Sequence, residues 1–401
     1  MSLDLAISDQ DRLTVKRARS AGEVERIRRD WLALQKHPHA DLDFNLMLAT
    51  VRDEIESLHA VRILRGGALK SLMVGRIEER RIPFKIGYKT VSRPMARILA
   101  VPRGGILGEK SGETARLQIA EILRILKKGD VDAVILSLLR TDSPLFQETR
   151  KLSALFSGHS LGSIERNYRV ALPGDIDAFI LREKAKHRRE LRRYGRVLER
   201  HFARRVKYKC YQTADHVPTL CADAEEISKK SYQRGINAGF ILNTESERKL
   251  YLWAEKQALR GYVLSIDAKP IAYWIGALYG STFFLDTTGY DPVCSKYNPG
   301  TVLYLRMVED LCRLGVGEID NGIGDSFWKK RFGAEGVDKS TVFVYAPTMK
   351  GLRLKATRVL TTSISSFAKR IARRTSMKRH IVKLARHVFI SRARRKLGAG
   401  R

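Results

Sequence analysis

The chain has 401 residues, 44% of them apolar and 29% charged, with a formal net charge of +32. That length exceeds one small domain, and that apolar share excludes global disorder, so two domains with ordinary cores are expected. The four cysteines, Cys210, Cys221, Cys294 and Cys312, form no CxxC pair, which argues against a disulfide frame or a zinc site. The opening MSLDLAISDQ lacks a basic flank followed by an apolar core, and no uncharged apolar run reaches the length of a membrane span. A cytoplasmic location is therefore expected.

The charge is unevenly placed. Residues 349–401 hold 17 Lys and Arg and no Asp or Glu, and 182–207 hold 12 basic and three acidic residues. Like-charged blocks of this kind attract phosphates, on lipid or on nucleic acid.

In chain order, Val24, Ile27, Trp31 and Leu34 recur at helical spacing. Residues 60–82 alternate apolar and polar on either side of Arg65-Gly66-Gly67 and read as a strand pair. A glycine-rich loop, VPRGGILGEKSG, precedes a helix over 114–129, which leads to a buried strand at 131–139. The stretch 174–212 reads as a long basic helix running into a strand. Two helices, over 217–234 and 245–260, come next; strands at 262–267 and 271–280 flank the turn Ala268-Lys269-Pro270. A further strand at 281–290, a helix from Pro299 to Leu314, a strand at 315–324, a short helix over 326–333 and a last strand at 339–347 complete the second half. The similar order of elements in the two halves suggests a duplicated fold. Beyond Pro347, Ile364, Phe367 and Ile371, then Ile381, Leu384 and Val388, fall at helical spacing among Lys and Arg, as in a basic amphipathic tail.

Residues 273–333 are the richest in candidate chemistry. Asn298 suits an N-cap, Pro299 the first helical position and Gly315 the helix end. On that reading the amides of Gly300 and Thr301 stand unpaired at a positive helix end and can hold a phosphate, although starting a helix is the commoner use of Asn-Pro-Gly. Asp320 ends a strand, where a carboxylate can accept a proton from an amine. Asp325 precedes a short helix, and Lys329 on that helix can hold an anion or polarise a carbonyl; a surface Asp325–Lys329 ion pair is the plain alternative. His37 and His39 form an HxH without a third ligand nearby, so no metal is expected. Arg103-Gly104-Gly105 is read chiefly as a turn.

Gly289, Tyr290, Asp291, Pro292, Tyr297, Pro299, Gly300 and Thr301, followed by Asp320, Gly324, Asp325, Trp328, Lys329, Phe332 and Gly333, carry a family resemblance. The chain resembles the GNAT acetyltransferase superfamily, in its FemAB-like and CelD-type branch of paired GNAT halves. The resemblance implies an α/β fold of tandem GNAT-like halves with mixed, mostly antiparallel sheets, followed by a basic helical tail. The halves are expected at 1–175 and 176–347, the second opening with the basic helix 182–207, and the tail at 348–401. It implies acyl transfer from acetyl-CoA or another acyl-CoA to an amine or hydroxyl of a small molecule, polysaccharide or cell-envelope precursor. Lys296, Asn298, Gly300 and Thr301 would hold the donor; Asp320, Asp325 and Lys329 would be catalytic; Tyr232, Arg234, Tyr290, Asp291 and Trp328 would meet the acceptor. SKYNPGT departs from the usual GNAT phosphate loop in having a single glycine. Two alternatives stay open: a tRNA-dependent aminoacyl transferase, as in related enzymes of the branch, and a non-catalytic module binding anionic membrane or nucleic acid. Through 348–401 the protein would sit peripherally at the inner face of a membrane.

Overall fold

A computed structural model describes residues 13–87, 89–155, 160–231, 234, 239–324, 329, 332 and 334–374. The first half begins with β1 (Leu13–Ala18), α1 (Ala21–Arg26), α2 (Arg28–Leu34) and α3 (Leu42–Val51). The helical spacing expected from Val24 to Leu34 is present but broken at Ile27, whose φ of −103° and ψ of 10° end one helix and start the next. Ser20 and Glu23 form a capping box that sets the start of α1. The hairpin of β2 (Ile55–Arg65) and β3 (Ala68–Arg81) turns on Gly66 and Gly67, both at positive φ (54° and 81°), as a two-residue turn between right-twisted strands requires. There follow β4 (Phe84–Ile86), β5 (Lys89–Ser92), β6 (Met95–Val101), β7 (Ile106–Gly108) and α4 (Gly112–Lys128), and then β8 (Ala133–Arg140) and α5 (Pro144–Leu155). Helix α4 is capped by Ser111 and stopped by Gly129 at φ 76°. Two strands close this stretch, β9 (Ser160–Leu161) and β10 (Glu165–Ala171).

The expected long basic helix is two helices, α6 (Ile176–Leu181) and α7 (Ala185–Phe202), the second leading to β11 (Val206–Tyr211). Helices α8 (Val217–Lys230) and α9 (Thr244–Glu255) precede β12 (Leu259–Ile266), β13 (Lys269–Tyr279) and β14 (Thr282–Tyr290). The β12–β13 turn sits one residue earlier than expected, on Asp267 and Ala268 at φ 50° and 63°, because the pair adopts a tight two-residue turn. Helix α10 (Pro299–Arg313), β15 (Glu318–Ile323), β16 (Glu335–Tyr345) and α11 (Met349–Arg374) complete the chain. The short helix expected over 326–333 lies almost entirely outside the described residues. Among the described residues no helix is long and apolar enough to cross a membrane.

Strands β4 and β5 pair as a small sheet of their own, and the others form one continuous mixed sheet in the order β1-β2-β3-β6-β8-β16-β10-β15-β14-β13-β12-β11, with β7 beside β3 and β9 beside β16. Its two ends repeat one pattern: three antiparallel pairings and then one parallel pairing, β6 with β8 and β14 with β15. At the centre the closing strands are exchanged. β10, from the first half of the chain, pairs with β15, whereas β16, from the second, pairs with β8, and the two exchanged strands pair with each other. The division expected at 175/176 thus runs through a sheet that crosses it.

The cores record the same exchange. Val342, Val344 and Ala346 of β16 and the residues after it pack with Ile119, Ile122 and Val134 of the first half, and Val170 of β10 packs with Leu303, Met307 and Ile319 of the second. A buried carboxylate also joins the halves: Asp41 accepts from Lys256 Nζ at 2.7 and 2.8 Å, from the Tyr279 hydroxyl at 3.1 Å and from the Phe44 amide at 2.9 Å. The segment after Pro347 is in part a packed element, since Leu354 of α11 is buried with Ile82, Phe84 and Ile98.

Candidate functional site

The residues expected to form one site fall into two groups along β14. Asp320 pairs in register with Phe284, and Tyr290 lies six residues further on, about 20 Å at strand rise.

At the far end, the helix start differs from expectation. Asn298 adopts a left-handed conformation (φ 51°, ψ 48°) and its side chain caps nothing. The Thr301 amide donates to the Asn298 carbonyl at 3.0 Å and is not free for a ligand. The Gly300 carbonyl accepts from Trp274 Nε1 at 3.1 Å, with the Tyr290 ring against Gly300. Lys296 is exposed and lies over the Tyr297 ring, 4.8 Å from its centroid. Asp291 is buried and caps the following turn through the Val293 amide at 3.0 Å, with Lys230 3.6 Å away. Arg234 is held by Glu225 (2.9 Å) and by the Phe240 carbonyl (2.6 Å). Tyr232, Asp325 and Trp328 lie outside the described residues.

Asp320 belongs to a different environment. It is 1% exposed, with Oδ1 accepting from Asn167 Nδ2 at 3.1 Å and from the Gly322 amide at 2.8 Å. Arg169 Nε lies 3.4 Å from Oδ2. Lys329 donates to the carbonyls of Gly322 (3.2 Å) and Ile323 (2.6 Å). Burial lowers its pKa to about 8 against the favourable field of Asp320. Asp320 is thus the buried counter-charge of a cation cluster, and its geometry suits positioning better than proton abstraction from an approaching ligand.

That cluster faces a cleft of about 490 Å³ at the junction of the halves. The cleft opens where the parallel pairing of β6 and β8 ends, at Val101 and Leu136. From there β6 turns away through Pro102 to Gly105 while β8 runs on to Arg140, and the start of α4 forms the floor. Lys36, Arg103, Lys110, Arg140, Arg169 and Lys339 line it, and no Asp or Glu does among the described residues. The exchanged strands supply two of these cations, Arg169 from β10 and Lys339 from β16. Lys339 is 7% exposed, and its side chain, like that of Arg103, has no hydrogen-bond or ion-pair partner among the described residues. Burial lowers the Lys339 pKa to about 8; Asp320 opposes the shift, while Arg103, Arg169 and Arg140 add to it.

His37 completes the wall at 7% exposure. Its Nδ1 accepts from the His39 amide at 3.1 Å, so the proton sits on Nε2, which is buried without a partner among the described residues. Burial and then the charge of Arg103 hold its pKa well below the usual value, and the ring is neutral. A Cβ on Gly104 (φ 79°) would lie 2.5 Å from the His37 Cβ, so only glycine lets the loop seat on this histidine. No group of three or more His, Cys, Asp or Glu is placed to hold a metal among the described residues.

The arrangement is an electropositive, glycine-lined cleft beside a helix start, suited to a phosphate-bearing ligand. Sequence reasoning left it aside, although one signal was present. VPRGGILGEKSG stands before α4 as DPVCSKYNPG stands before α10, so a duplicated fold places an equivalent loop in each half.

Comparison with the solved structure of FemX agrees with this architecture. Residues 185–330 match the family described as acetyltransferase (GNAT) domain. The crystal structure of FemX superposes with a TM-score of 0.54 at 11% identity, covering 78% of this chain and 94% of that one. A tandem GNAT protein from the clavulanic acid biosynthesis pathway gives 0.49 at 11% identity, with 84% and 99% covered. The structure of L-PGS from Bacillus licheniformis gives 0.43 at 15% identity, with 72% and 85% covered. No curated protein sequence matches the chain. Residues 185–330 therefore carry a GNAT acetyltransferase domain, and the chain as a whole has a fold like that of FemX.

Proposed function

We propose that the protein is an acyltransferase that holds the phosphates of an acyl-CoA donor in the cleft between its halves and passes the acyl group to an amine or hydroxyl. The observation that carries this reading is a cleft of about 490 Å³ lined, among the described residues, by six cationic side chains and no carboxylate, in a chain with a GNAT domain. Arg103 and Lys339, otherwise unpartnered, would meet the phosphates, and the α4 start would add its positive end. An acyl-CoA supplies the activated acyl thioester. His37 Nε2–H is a neutral donor suited to the acyl carbonyl oxygen, where it would stabilise charge developing during transfer. Asp320 would act as a positioning residue, fixing Arg169 from below. Direct attack by the acceptor needs no enzyme nucleophile, and none of the four cysteines lines the cleft.

A second reading places the donor at Lys296, Asn298, Gly300 and Thr301, with Asp320, Asp325 and Lys329 acting on the acceptor. The roughly 20 Å between those groups would then have to be spanned by an extended donor, and the engaged Thr301 amide argues against it. A charged tRNA as donor is favoured by one observation, the run of exposed basic residues on α7. Cell-envelope precursors fit either donor as acceptors.

Calorimetric titration of the full chain with acetyl-CoA and longer acyl-CoAs decides among these. Saturable binding that Arg103→Ala or Lys339→Met weakens, and Gly300→Ala leaves unchanged, supports the cleft. The reverse pattern moves the donor to the α10 start. Binding of charged tRNA alone replaces acyl-CoA in the proposal.

A further inference from the structure

Helix α11 presents two opposite faces. Gly351, Leu354, Arg358, Thr361 and Ser365, spaced by three and four, are turned to the body. Leu354 is buried with Phe84, the Arg358 guanidinium lies over the Phe343 ring, and Ser365 Oγ accepts from the Gly87 amide at 3.1 Å. Lys350 pairs with Asp132 at 2.8 Å near the helix start. The helix is therefore fixed in orientation, and its outer face is a feature of the folded protein.

That outer face is apolar. Met349, Leu352, Ala356, Val359, Ser363 and Phe367 follow one another by three or four residues, with Leu360 alongside, and all are exposed. Met349 is 69% exposed, Leu360 62% and Phe367 65%. Six of the 18 exposed large apolar side chains in the described residues sit on this one helix, counting Ile364 at the edge of the stripe. A row of this kind on a charged helix is not the scattered exposure of an ordinary surface.

The surroundings say what covers it. Residues 349–401 contain 17 basic and no acidic residues. The small sheet of β4 and β5 on which α11 rests, with the chain on either side of it, contributes Arg81, Lys85, Lys89 and Arg93, all exposed, with no acidic residue between 81 and 95. Val91 and Met95 of the same region are exposed as well. Apolar side chains flanked by exposed cations in excess of carboxylates match a surface that offers hydrocarbon beneath anionic headgroups. A nucleic acid would use the cations and leave the apolar row in water, and a second copy would face like charge with like.

We infer that α11 and the β4–β5 sheet form a docking face for an anionic phospholipid bilayer. The apolar row enters the headgroup region, and the basic residues to either side pair with lipid phosphates. The body of the protein is thereby held at the membrane in one orientation.

The test is co-flotation of the full-length protein with vesicles of phosphatidylcholine alone or mixed with phosphatidylglycerol. The wild type is expected to float with the mixed vesicles and not with phosphatidylcholine alone. Leu352→Asp/Leu360→Asp/Phe367→Asp should lose binding on the order of tenfold or more while keeping the wild-type melting temperature, since these side chains face solvent. Arg81→Glu/Lys89→Glu should weaken binding with the apolar row intact. Equal flotation of the triple variant overturns the proposal. So does RNA binding without vesicle binding, or a concentration-dependent dimer that the triple variant abolishes while vesicles are ignored.

Discussion

Replacing Lys339 with methionine exchanges a buried ammonium for an apolar chain of similar length, and should make the protein more stable and less able to bind anions. Burial lowers the Lys339 pKa from an ordinary 10.5 to about 8. At pH 7 that shift corresponds to about 3 kcal/mol by which the charged side chain destabilises the fold, and Lys339→Met should recover up to that amount. The sign with pH follows from the depressed value. Between pH 8 and 10.5 the unfolded lysine keeps the proton that the folded one has released, so wild-type stability rises with pH across that window. The advantage of the variant should shrink to about 1.4 kcal/mol at pH 9.5. Urea denaturation of wild type and variant at the two pH values measures it. Titration with acetyl-CoA measures the other side: affinity should fall roughly ten- to hundredfold in the variant at pH 7. In the wild type it should weaken as pH rises through about 8, where Lys329 and Lys339 lose their charge. A variant that is less stable than wild type, or a wild-type affinity that is flat from pH 7 to 9, would refute the account of Lys339 as an unpartnered, strained cation waiting for a phosphate.

Three further outcomes follow from particular contacts. Gly104→Ala puts a Cβ at positive φ and 2.5 Å from that of His37; it should lower stability by about 1–3 kcal/mol and weaken acyl-CoA binding, read by melting and calorimetry. Asp41→Ala takes the acceptor from the Tyr279 hydroxyl and the Phe44 amide, while Lys256 keeps Asp43 at 2.7 Å, and should cost about 1–3 kcal/mol in urea denaturation; an effect below 0.5 kcal/mol would deny Asp41 its linking role. Ending the chain at Pro347 removes Leu354 from its cluster with Ile82, Phe84 and Ile98. The loss should be about 2 kcal/mol from that side chain alone, so a fragment as stable as the full chain would show α11 to be dispensable to the body.

Much of the architecture was legible in the residues themselves. Periodicity located the β2–β3 hairpin at Gly66-Gly67, helix α4 over 114–129 and α10 from Pro299, because turns, caps and amphipathic spacing are local and act within a few residues. The repeated order of elements foretold a duplication, and the motifs at 289–301 and 320–333 foretold the GNAT family of residues 185–330. The backbone at Asn298 was not legible. A residue that suits an N-cap by type adopts a left-handed conformation, set by the turn entering α10. Nor was the exchange of β10 and β16, since strand pairing joins residues some 170 positions apart, as Arg166 to Asp338, and each strand alternates equally well beside either neighbour. That exchange brings Arg169 and Lys339 to one wall with Arg103 and His37. Local sequence determined the parts and the family; the long-range pairing of the sheet alone decided where their charges meet.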